Sequence, residues 1–571
     1  MDRKKVLIIK FIFLFIIPSI IAIRLFLLQI WDYKKYSIKI ERQISTKIDI
    51  NIPRGDIVDR NNKILATSVE VASVYINSKW FLNGIESLKK LKPTIIQKNL
   101  KLLYETFNIS ENELIEKCKK FKRFCLAEEV DLIKIKEIKF IPGVEIVVTQ
   151  KRIYPYENIG SYVIGRVNKD NNGYSGVELA FNDLLSNMKK KEILAYKTGA
   201  LQKKYFRLAN FSDAKSLLEN NKNFTVVLTL DIELQSRIES LLDKFYEIYK
   251  PNFIVCIVQD TQSGEIIVLS TLPKTDTPQS NFAVNYVYEP GSIFKIFPMA
   301  VFLEEKVVTP DTKFDCENGK FTYLGVTIKD VKPNKILTVE DILVHSSNIG
   351  MAKIYLKYGN AEKLFNYLSL FGFGNLTGIE LPYEAKGFIP KINSKGYSPI
   401  SPINVSFGQG LSVNFIQIIN GYTAIANNGV LLQPYIVKSI LDSNNNVIYS
   451  NKKTVIRKVV SEKTANIIKE FMYQTVERGT AKKAKIEAVN ICAKTGTAQK
   501  FDTKLNVYSN DKYLMSCCGF FPKEEPKFTV GIFVDEPKRG TLASEVAVPI
   551  FREVVSEILK YYNEVYYAKA Y

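Results

Sequence analysis

The chain opens with one long apolar stretch, which sets its first 31 residues apart from the rest. Residues 6–31 form an apolar stretch interrupted by the charged residues Lys10 and Arg24, and a helix needs roughly 20 apolar residues to span a bilayer. The uninterrupted part, 11–23, is shorter, but long cationic side chains can reach the membrane surface at either end. The pattern predicts a transmembrane helix over 6–31, preceded by a cytoplasmic tail of residues 1–5.

The residues that flank this stretch favour a retained anchor. No small-residue cleavage pattern follows the apolar run, as a removed signal peptide would require. Trp31 and Tyr33 suit the outer membrane boundary. Lys34, Lys35 and Lys39 lie just beyond it, so charge gives the orientation only a weak bias. A buried helix of a soluble protein is the alternative.

Short apolar runs predict strands in two parts of the chain, separated by a polar, lysine-rich segment at 186–222. The predicted strands are Ile48–Ile52, Val71–Ile76 and Gly143–Val148, and then Phe253–Val258, Glu265–Ser270, Ala488–Ala493, Leu514–Phe520 and Phe528–Phe533. A helical region is predicted over Leu88–Lys120, and helical segments are predicted at Ile293–Glu305, Val339–Tyr358 and Ala547–Tyr562. A chain this long exceeds a single core, and we predict one domain over 40–220 and a second over 221–565.

Composition places the chain among ordinary globular proteins and leaves its charge to be explained. The 571 residues are 46% hydrophobic and 24% charged, with a formal net charge of +20. The simplest explanation is that lysines are spread over solvent-exposed surfaces, where the charge has no specific function. The alternative is that the charge attracts the protein to an anionic membrane surface. The sequence has no zinc spacing, aromatic-rich binding signature or concentrated basic arm, so we expect no nucleic-acid partner.

The seven cysteines indicate neither a metal site nor an obvious disulfide. Their number is odd and their spacings fit no zinc module. Cys118 and Cys125 fall in a stretch with a helical pattern, where two turns would separate them by about 10.5 Å, too far for a disulfide. We expect buried free thiols, and neither a metal nor an organic cofactor.

A serine and a lysine three residues apart provide the first candidate chemistry. The single histidine, His345, excludes most mechanisms that use a histidine base. Ser292 and Lys295 would share one face of a helix. A serine hydroxyl needs an adjacent base, and a lysine amine can serve where burial or a second cation lowers its pKa from roughly 10.4. Glu289–Gly291 predicts a turn and a helix start, where backbone N–H groups stabilise developing negative charge.

A second string, Ser346-Ser347-Asn348, adds a hydroxyl that can relay a proton and an amide that can hydrogen-bond a peptide. Such strings are common in a chain rich in serine, lysine and asparagine. The S-x-x-K pattern recurs at Ser450, and K-T-G recurs at 197–199 beside a run of charges. The candidate strings differ from these copies because they lie among apolar residues and turn signals.

The third string, Lys494–Thr497, has the sequence KTGT and small or apolar neighbours, as in a buried strand. Its ammonium and two hydroxyls suit a carboxylate, and its glycine would let a substrate backbone approach closely. Lys494 is also the second cation that could lower the pKa of Lys295. The residues assigned to this carboxylate-binding string are Lys494, Thr495, Gly496 and Thr497.

Together the three strings resemble the signature of the penicillin-binding proteins and serine β-lactamases, which combines S-x-x-K, S-D-N or a variant, and K-T-G. Wider matches resemble the monofunctional, high-molecular-mass class B penicillin-binding proteins. The segments that carry this narrower resemblance are Arg54–Asn61, Gly173–Glu178, Leu228–Asp231, Tyr288–Ser292, Phe371–Gly374, Gly378–Pro382, Ser406–Gly410 and Asn427–Gly429.

The chain departs from the family pattern at a few positions. Ile296 stands where proline often follows the motif lysine, and Pro298 two residues later could kink the helix. Asn414-Phe415 replaces a common Thr-Pro, and Ala543-Ser544 or its neighbours replace a Gly-Gly near the end. None of these departures removes a catalytic group.

The resemblance implies an α/β (α+β) transpeptidase fold, in which helices sandwich an antiparallel sheet, behind an N-terminal pedestal domain and one transmembrane helix. It implies a D,D-transpeptidase that cross-links peptidoglycan stem peptides through a serine acyl-enzyme and binds β-lactam antibiotics. The implied catalytic residues are Ser292, Lys295, Ser346, Asn348 and Lys494. The backbone N–H groups of Ser292 and Thr497 would hold the oxyanion.

The resemblance also implies a place and partners. The catalytic domain is expected outside the cytoplasm, attached to the cytoplasmic membrane by a single transmembrane anchor. The sequence has no room for a glycosyltransferase domain between anchor and pedestal, so a separate membrane glycosyltransferase and other divisome proteins are expected partners. Ser-Ser-Asn and Glu-Pro-Gly-Ser favour a division role over an elongation role. The alternatives are a D,D-carboxypeptidase, a β-lactamase, a β-lactam sensor and a non-catalytic divisome scaffold.

Overall fold

The computed structural model describes residues 3–33, 35, 45–49, 53–91, 93–135, 141–186, 192–198, 205–208, 224–273, 281–394, 397–502 and 507–570. Most of the predicted polar segment at 186–222, Lys34, Lys39 and the end of the predicted strand Ile48–Ile52 lie outside the described residues. The chain forms two compact units, one made of Met1–Ile52 with Asn187–Lys222 and the other of Pro53–Ser186 with Asn223–Tyr571.

The first unit contains the predicted N-terminal helix. Residues from Arg3 to Trp31 are helical throughout, with π-type turns at Ile12–Ile16 and Leu27–Trp31. The 24 residues Ile8–Trp31 are long and apolar enough to cross a membrane, and none is buried against the protein. The same unit holds a three-stranded antiparallel sheet formed by Ser45–Asp49, Glu192–Thr198 and Tyr205–Leu208.

The pedestal portion of the second unit is organised by one long strand, Ile64–Asn77. Arg123–Asp131 and Val144–Ile153 pair with it antiparallel. A short strand, Ile57–Val58, pairs antiparallel with the start of the long strand Ile64–Asn77. On its other side it pairs in parallel with Thr225–Leu228, so the sheet continues to that strand. The helices of this portion are Ser78–Leu91, Pro93–Phe107, Glu111–Lys120, Leu132–Ile135, Ser161–Ile164, Gly176–Ala180 and Asn182–Ser186.

The helical region predicted over Leu88–Lys120 is confirmed, and it consists of parts of three helices. Proline is favoured in the first turn of a helix, and Pro93 begins the second one. Ser110 caps the third by accepting a hydrogen bond from the backbone of Glu113. Cys125 lies on a strand after these helices, so its predicted helical spacing from Cys118 is wrong. All seven cysteines are free, and six of them are buried.

A buried ion cluster joins the start and end of the pedestal portion. Arg54 donates to one carboxylate oxygen of Glu178 at 2.6 Å and Arg152 donates to the other at 2.7 Å. Arg54 also donates to the backbone oxygen of Glu178 at 2.7 Å and to Asn182 at 3.0 Å. The side chains of Arg54 and Glu178 are fully buried, and removing one member of such a cluster leaves buried charge unpaired.

We expect Glu178→Gln to destabilise the protein by about 3–5 kcal/mol, because two buried guanidinium groups lose their shared carboxylate. Chemical unfolding of the purified protein measures the change. Glu233→Gln is the matched control, since Glu233 pairs with Lys63 at 2.9 Å in an exposed ion pair worth about 1 kcal/mol or less. Equal stability of the two variants would contradict a structural role for the cluster.

The C-terminal portion of the second unit, from residue 224 onward, is built on a five-stranded antiparallel sheet. Its strands, in spatial order, are Ile266–Leu272, Phe253–Asp260, Phe528–Asp535, Val507–Phe521 and Cys492–Asp502. Its helices are Ile232–Tyr249, Phe282–Asn285, Ile296–Glu304, Val339–Val344, Asn348–Tyr358, Ala361–Leu370, Ser401–Ser406, Phe415–Ala426, Glu462–Glu477 and Ala547–Ala570. The remaining strands are Lys313–Asp315, Lys320–Tyr323, Val326–Lys329, Ile336–Thr338, Val430–Leu432, Val437–Leu441, Val447–Ser450 and Val455–Lys458.

Both faces of the sheet are covered, which explains its continuous apolar strands. On Phe253–Asp260, alternate side chains enter two different cores. Val255 and Ile257 join a core that includes Phe415–Ala426, and Cys256 joins another that includes residues of Ala547–Ala570. The prediction of an antiparallel sheet between helices is confirmed.

The strand predicted at Ala488–Ala493 is wrong over its first four residues. The strand begins at Cys492 and runs to Asp502. Residues before it form a tight turn closed by a bridge between Ile486 and Val489. The true strand therefore carries the whole KTGT string.

Candidate active site

Ser292 and Lys295 lie on one face of a single 3₁₀ turn. The turn, Gly291–Lys295, leads into the α-helix Ile296–Glu304, whereas the sequence predicted one helix. Side chains at i and i+3 eclipse one another in a 3₁₀ helix, and Lys295 Nζ donates to Ser292 Oγ at 2.9 Å. Pro298 falls in the first turn of the α-helix, where proline is tolerated.

Neighbouring elements hold this turn in place. Tyr422 donates its hydroxyl to the backbone oxygen of Ile293 at 2.7 Å, in a buried hydrogen bond. Gly291 donates its N–H to the backbone oxygen of Gly408 at 3.0 Å. A Cβ on Gly408 would lie 2.0 Å from the Gly291 oxygen, so the Ser406–Gly410 segment supports the turn by close backbone contact.

Lys295 is enclosed while Ser292 is only half-buried. Besides Ser292, its ammonium donates to the backbone oxygen of Ser346 at 2.7 Å and to Ser346 Oγ at 3.2 Å. Burial lowers the pKa of Lys295 to about 7, and the carboxylate of Asp330 acts weakly in the opposite direction. A substantial fraction of Lys295 is therefore neutral at physiological pH, as a base for the serine must be.

The helix predicted over Val339–Tyr358 is broken at the second string, and the break creates the site. One helix ends at Val344 and the next begins at Asn348. Ser346 has a left-handed backbone with φ of 60°, which a continuous helix cannot contain. Ser347 then caps the second helix by accepting from the backbone N–H of Gly350 at 2.9 Å.

The KTGT strand brings the second lysine to the same hydroxyl. Lys494 is fully buried on the strand Cys492–Asp502, and its ammonium donates to Ser346 Oγ at 2.8 Å. Burial lowers the pKa of Lys494 well below its usual value, and the nearby ammonium of Lys295 lowers it further. Because the two buried amines contact one hydroxyl, protonation of Lys295 disfavours protonation of Lys494.

Asn348 lies at the start of its helix, half-buried beside the site. Its side-chain amide donates to the backbone oxygen of Lys329 at 2.9 Å. Asp330 accepts from the backbone of Asn348 at 2.6 Å and from the hydroxyl of Ser347 at 2.5 Å. The carboxylate of Asp330 therefore holds the second string in place, a role that sequence reasoning missed.

The two threonines of the third string hold specific partners. Thr495 and Thr480 share a hydrogen bond between their hydroxyls at 2.7 Å. Thr497 accepts at its hydroxyl oxygen from the backbone N–H of Ala543 at 3.0 Å, which leaves its own hydroxyl proton free to donate. Thr480 was not found from the sequence because it lies 14 residues before Lys494 in an unremarkable polar stretch.

Gly496 is required by the protein itself. A Cβ at this position would lie 2.9 Å from a methyl carbon of Ile293, 3.1 Å from its backbone nitrogen and 2.7 Å from Ser516 Oγ. The strand therefore packs directly on the nucleophile turn. The predicted close approach of a substrate backbone stays a prediction, whereas the approach of the 3₁₀ turn is a contact in the structure.

We expect acylation of Ser292 by benzylpenicillin to accelerate as the pH rises through about 7. Below that pH Lys295 is protonated and cannot accept the serine proton, and above it the neutral amine predominates. For a single group of pKa about 7, the rate rises about tenfold between pH 6 and pH 8. Stopped-flow acylation measures it, and a rate that is constant across this range would contradict a lysine base.

Comparison with protein families identifies two matching regions. Residues 254–556 match the penicillin binding protein transpeptidase domain, and residues 49–203 match the penicillin-binding protein dimerisation domain. The chain is 30% identical to the peptidoglycan D,D-transpeptidase FtsI of Buchnera aphidicola subsp. Baizongia pistaciae, over 96% of this chain and 94% of that protein. It is 29% identical to stage V sporulation protein D of Bacillus subtilis, over 88% of this chain and 78% of that protein.

Solved structures of the same fold were also found. Penicillin binding protein 2X of Streptococcus thermophilus has a TM-score of 0.73 at 23% identity, covering 90% of this chain and 80% of that one. Penicillin binding protein 3 of Mycobacterium tuberculosis, solved in complex with aztreonam, has a TM-score of 0.66 at 23% identity. The match covers 89% of this chain and 96% of that one. At this identity the likeness establishes the fold.

Proposed function

The chain belongs to the penicillin-binding proteins that join a dimerisation domain to a transpeptidase domain, and on that premise we propose how its residues catalyse peptidoglycan cross-linking. It is a serine-type D,D-transpeptidase of the class B, monofunctional kind. One observation carries the assignment of its site. The hydroxyl of Ser292, the amines of Lys295 and Lys494 and the hydroxyl of Ser346 form one continuous chain of hydrogen bonds.

In the first half-reaction, Ser292 attacks the carbonyl carbon between the last two residues of a stem peptide ending in D-Ala-D-Ala. Lys295 takes the proton from Ser292 Oγ as the new C–O bond forms. The C–N bond then breaks, and the proton passes from Lys295 through Ser346 to the leaving amine of D-alanine. An acyl ester on Ser292 and free D-alanine are the products.

In the second half-reaction, an amine from a neighbouring stem peptide attacks the ester. The amine loses a proton along the same path in reverse, and Ser292 regains it as the C–O bond breaks. The product is a new amide cross-link. Asn348 holds the peptide amide of the donor stem peptide, since it is half-buried two residues after Ser346 and Lys329 orients its side-chain amide at a fixed helix start.

Charge developing on the attacked carbonyl oxygen is held by the backbone N–H groups of Ser292 and Thr497. The contact between Gly496 and Ile293 supports this role, because it brings the KTGT strand against the nucleophile turn. The terminal carboxylate is held by Lys494, Thr495 and Thr497. Thr480 orients the hydroxyl of Thr495, and the backbone N–H of Ala543 orients the hydroxyl of Thr497.

Slow release of penicillin separates this function from its nearest rivals. A transpeptidase should take up one fluorescent penicillin per chain and keep it for many minutes, since its acyl-enzyme is resolved by an amine rather than by water. A chase with unlabelled penicillin measures the deacylation rate. Rapid turnover would instead identify a β-lactamase, and absence of label would identify a non-catalytic scaffold or an inactive site.

The N-terminal helix indicates where this reaction occurs. Ile8–Trp31 anchors the chain in the cytoplasmic membrane as a single span. We place the transpeptidase domain on the outer side, where peptidoglycan is assembled, with the short tail of residues 1–5 in the cytoplasm. A separate membrane glycosyltransferase supplies the glycan strands, and other divisome proteins are its expected partners. Protease accessibility in spheroplasts tests the orientation.

We assign the enzyme to the septum because a relative over nearly its full length is an FtsI. Depletion in the native cell should then block division and give filaments. Rounded or bulging cells would indicate the elongation role instead. A defect confined to spore formation would indicate the role for which the Bacillus subtilis relative is named.

A further inference from the structure

A cleft lies at one end of the central sheet, formed by parts of the chain that the catalytic chemistry does not use. Its volume is about 530 Å³, within the range of small-ligand sites and sufficient for a short peptide. Two turns form its walls, one after the strand Phe253–Asp260 and one between Val507–Phe521 and Phe528–Asp535. The end of Phe415–Ala426 and the helix Glu462–Glu477 complete it.

A buried lysine lines this cleft without a carboxylate to pair with. Lys469 is only 6% exposed. Its ammonium donates to Asn428 Oδ1 at 2.6 Å, and among the described residues it forms no ion pair. Burial lowers its pKa, and the opposing effect of Glu462 is smaller. An ammonium has three N–H groups, so burying this one is costly unless a further acceptor, such as a bound anion, meets it.

A second turn of the cleft carries charges of both signs, with Lys527 near Glu524 and Glu525, and Asp260 adds a further carboxylate. Glu524 and Glu525 line the cleft, and Glu524 accepts from the side-chain amide of Asn490 at 2.6 Å. Lys523, beside them, forms an ion pair with Glu470 at 2.6 Å, which ties the turn to the helix of Lys469. The cleft is therefore preformed, which lowers the entropy cost of binding.

We propose that this cleft binds a zwitterionic peptide, with its terminal carboxylate on Lys469 and its cationic amine facing Glu524 and Glu525. Asn428 also lines the cleft, and its side-chain NH₂ group can donate to the peptide backbone while its oxygen accepts from Lys469; the Asn427 amide already donates to the backbone oxygen of Val430 at 3.3 Å. The choice of ligand rests on the proposed function, because an uncross-linked stem peptide carries both a terminal carboxylate and a side-chain amine. The cleft is then a second, non-catalytic site for stem peptide on the transpeptidase domain.

The experiment first blocks the catalytic serine. The full chain in detergent is acylated with benzylpenicillin, and a synthetic pentapeptide, L-Ala-γ-D-Glu-L-Lys-D-Ala-D-Ala, is then titrated by calorimetry. We expect binding to persist in the acylated protein. Lys469→Met should weaken it about tenfold or more, as expected for loss of a charge-assisted hydrogen bond. Lys463→Met, which removes an exposed lysine from the same helix, should leave it unchanged.

Two altered peptides test the assigned contacts. A pentapeptide with a C-terminal amide should bind about tenfold more weakly than the free acid to wild type, but equally to Lys469→Met. Acetylation of the peptide lysine should weaken binding in wild type and not in the Glu524→Gln, Glu525→Gln double variant. Lys469→Gln provides a second variant if methionine disturbs the fold, and penicillin labelling of Ser292 reports whether either variant is folded.

Several results would overturn the proposal. Binding that disappears on acylation would place the peptide in the catalytic cleft alone. Affinity that is unchanged by Lys469→Met, or by amidation of the peptide, would show that the cleft does not hold its carboxylate. Failure of penicillin to acylate the wild-type chain would instead contradict the proposed function, and the Lys469 variants would then be compared without the block.

Discussion

Ser292→Ala should abolish covalent labelling by a fluorescent penicillin and lower the rate of cross-linking by roughly 10³-fold or more. The loss is expected to be this large because alanine has no atom that can form the acyl ester, and no neighbouring hydroxyl occupies the same position. Ser346 Oγ is hydrogen-bonded to both Lys295 and Lys494, and it lies on a separate turn whose backbone is left-handed. Gel fluorescence and release of D-alanine measure the two effects.

The matched control for this variant is Ser450→Ala. Ser450 opens a second S-x-x-K pattern with Lys453, but both residues are exposed, at and beyond the end of a short strand. Labelling and D-alanine release should be unchanged in this control. Penicillin bound covalently to Ser292→Ala, at Ser346 or elsewhere, would contradict the nucleophile assignment, and peptide mass spectrometry would locate it.

The contrast between Ser292 and Ser450 shows what sequence can predict here. Both serines satisfy the same spacing rule, and the rule alone does not separate them. Surrounding residues do, because apolar neighbours predict burial of the lysine, and burial is what lowers its pKa. Lys295 is fully buried and its pKa is lowered to about 7. The chemical part of the site was therefore predictable from local pattern and family resemblance together.

The turn that carries Ser346 was not predictable by the same reasoning. Val339–Tyr358 has the spacing of apolar residues that is typical of a helix along its whole length. Nothing in that spacing indicates that Ser346, in the middle, has a left-handed backbone. The break depends on a distant group. The carboxylate of Asp330 accepts hydrogen bonds from the backbone N–H groups of Asn348 and Ile349. These hydrogen bonds determine where the second helix starts. A contact between separate elements fixed the local structure, and single-sequence periodicity does not contain it.

The roles of Thr480 and Ala543 have a similar origin. Each contacts the KTGT strand only after the chain has folded back, across 15 and 46 residues respectively. The type of Thr480 gives no signal, and Ala543 is noticeable only as a departure from the Gly-Gly of the family pattern, which does not reveal its contact with Thr497. Sequence therefore identified the residues that perform the chemistry better than those that orient them.

Lys295→Met should reduce the rate of penicillin acylation by roughly 10²–10⁴-fold, the usual contribution of a general base. Methionine preserves the length and apolar stem of the side chain, and it removes a buried amine whose desolvation is unfavourable, so the fold should be retained. The remaining slow acylation should no longer rise as the pH passes through 7. Rate measurements from pH 6 to pH 8 test both expectations in one series.

Lys494→Met separates the two lysines, which burial and proximity otherwise make hard to distinguish. Only Lys295 contacts Ser292 Oγ, whereas both lysines contact Ser346 Oγ. The Lys494 variant should therefore keep a rate that rises with pH, and it should lose mainly affinity, about 10–100-fold, because an anionic ligand loses its cation. If instead the pH dependence vanished in Lys494→Met and survived in Lys295→Met, the base would be Lys494, acting on Ser292 through the hydroxyl of Ser346.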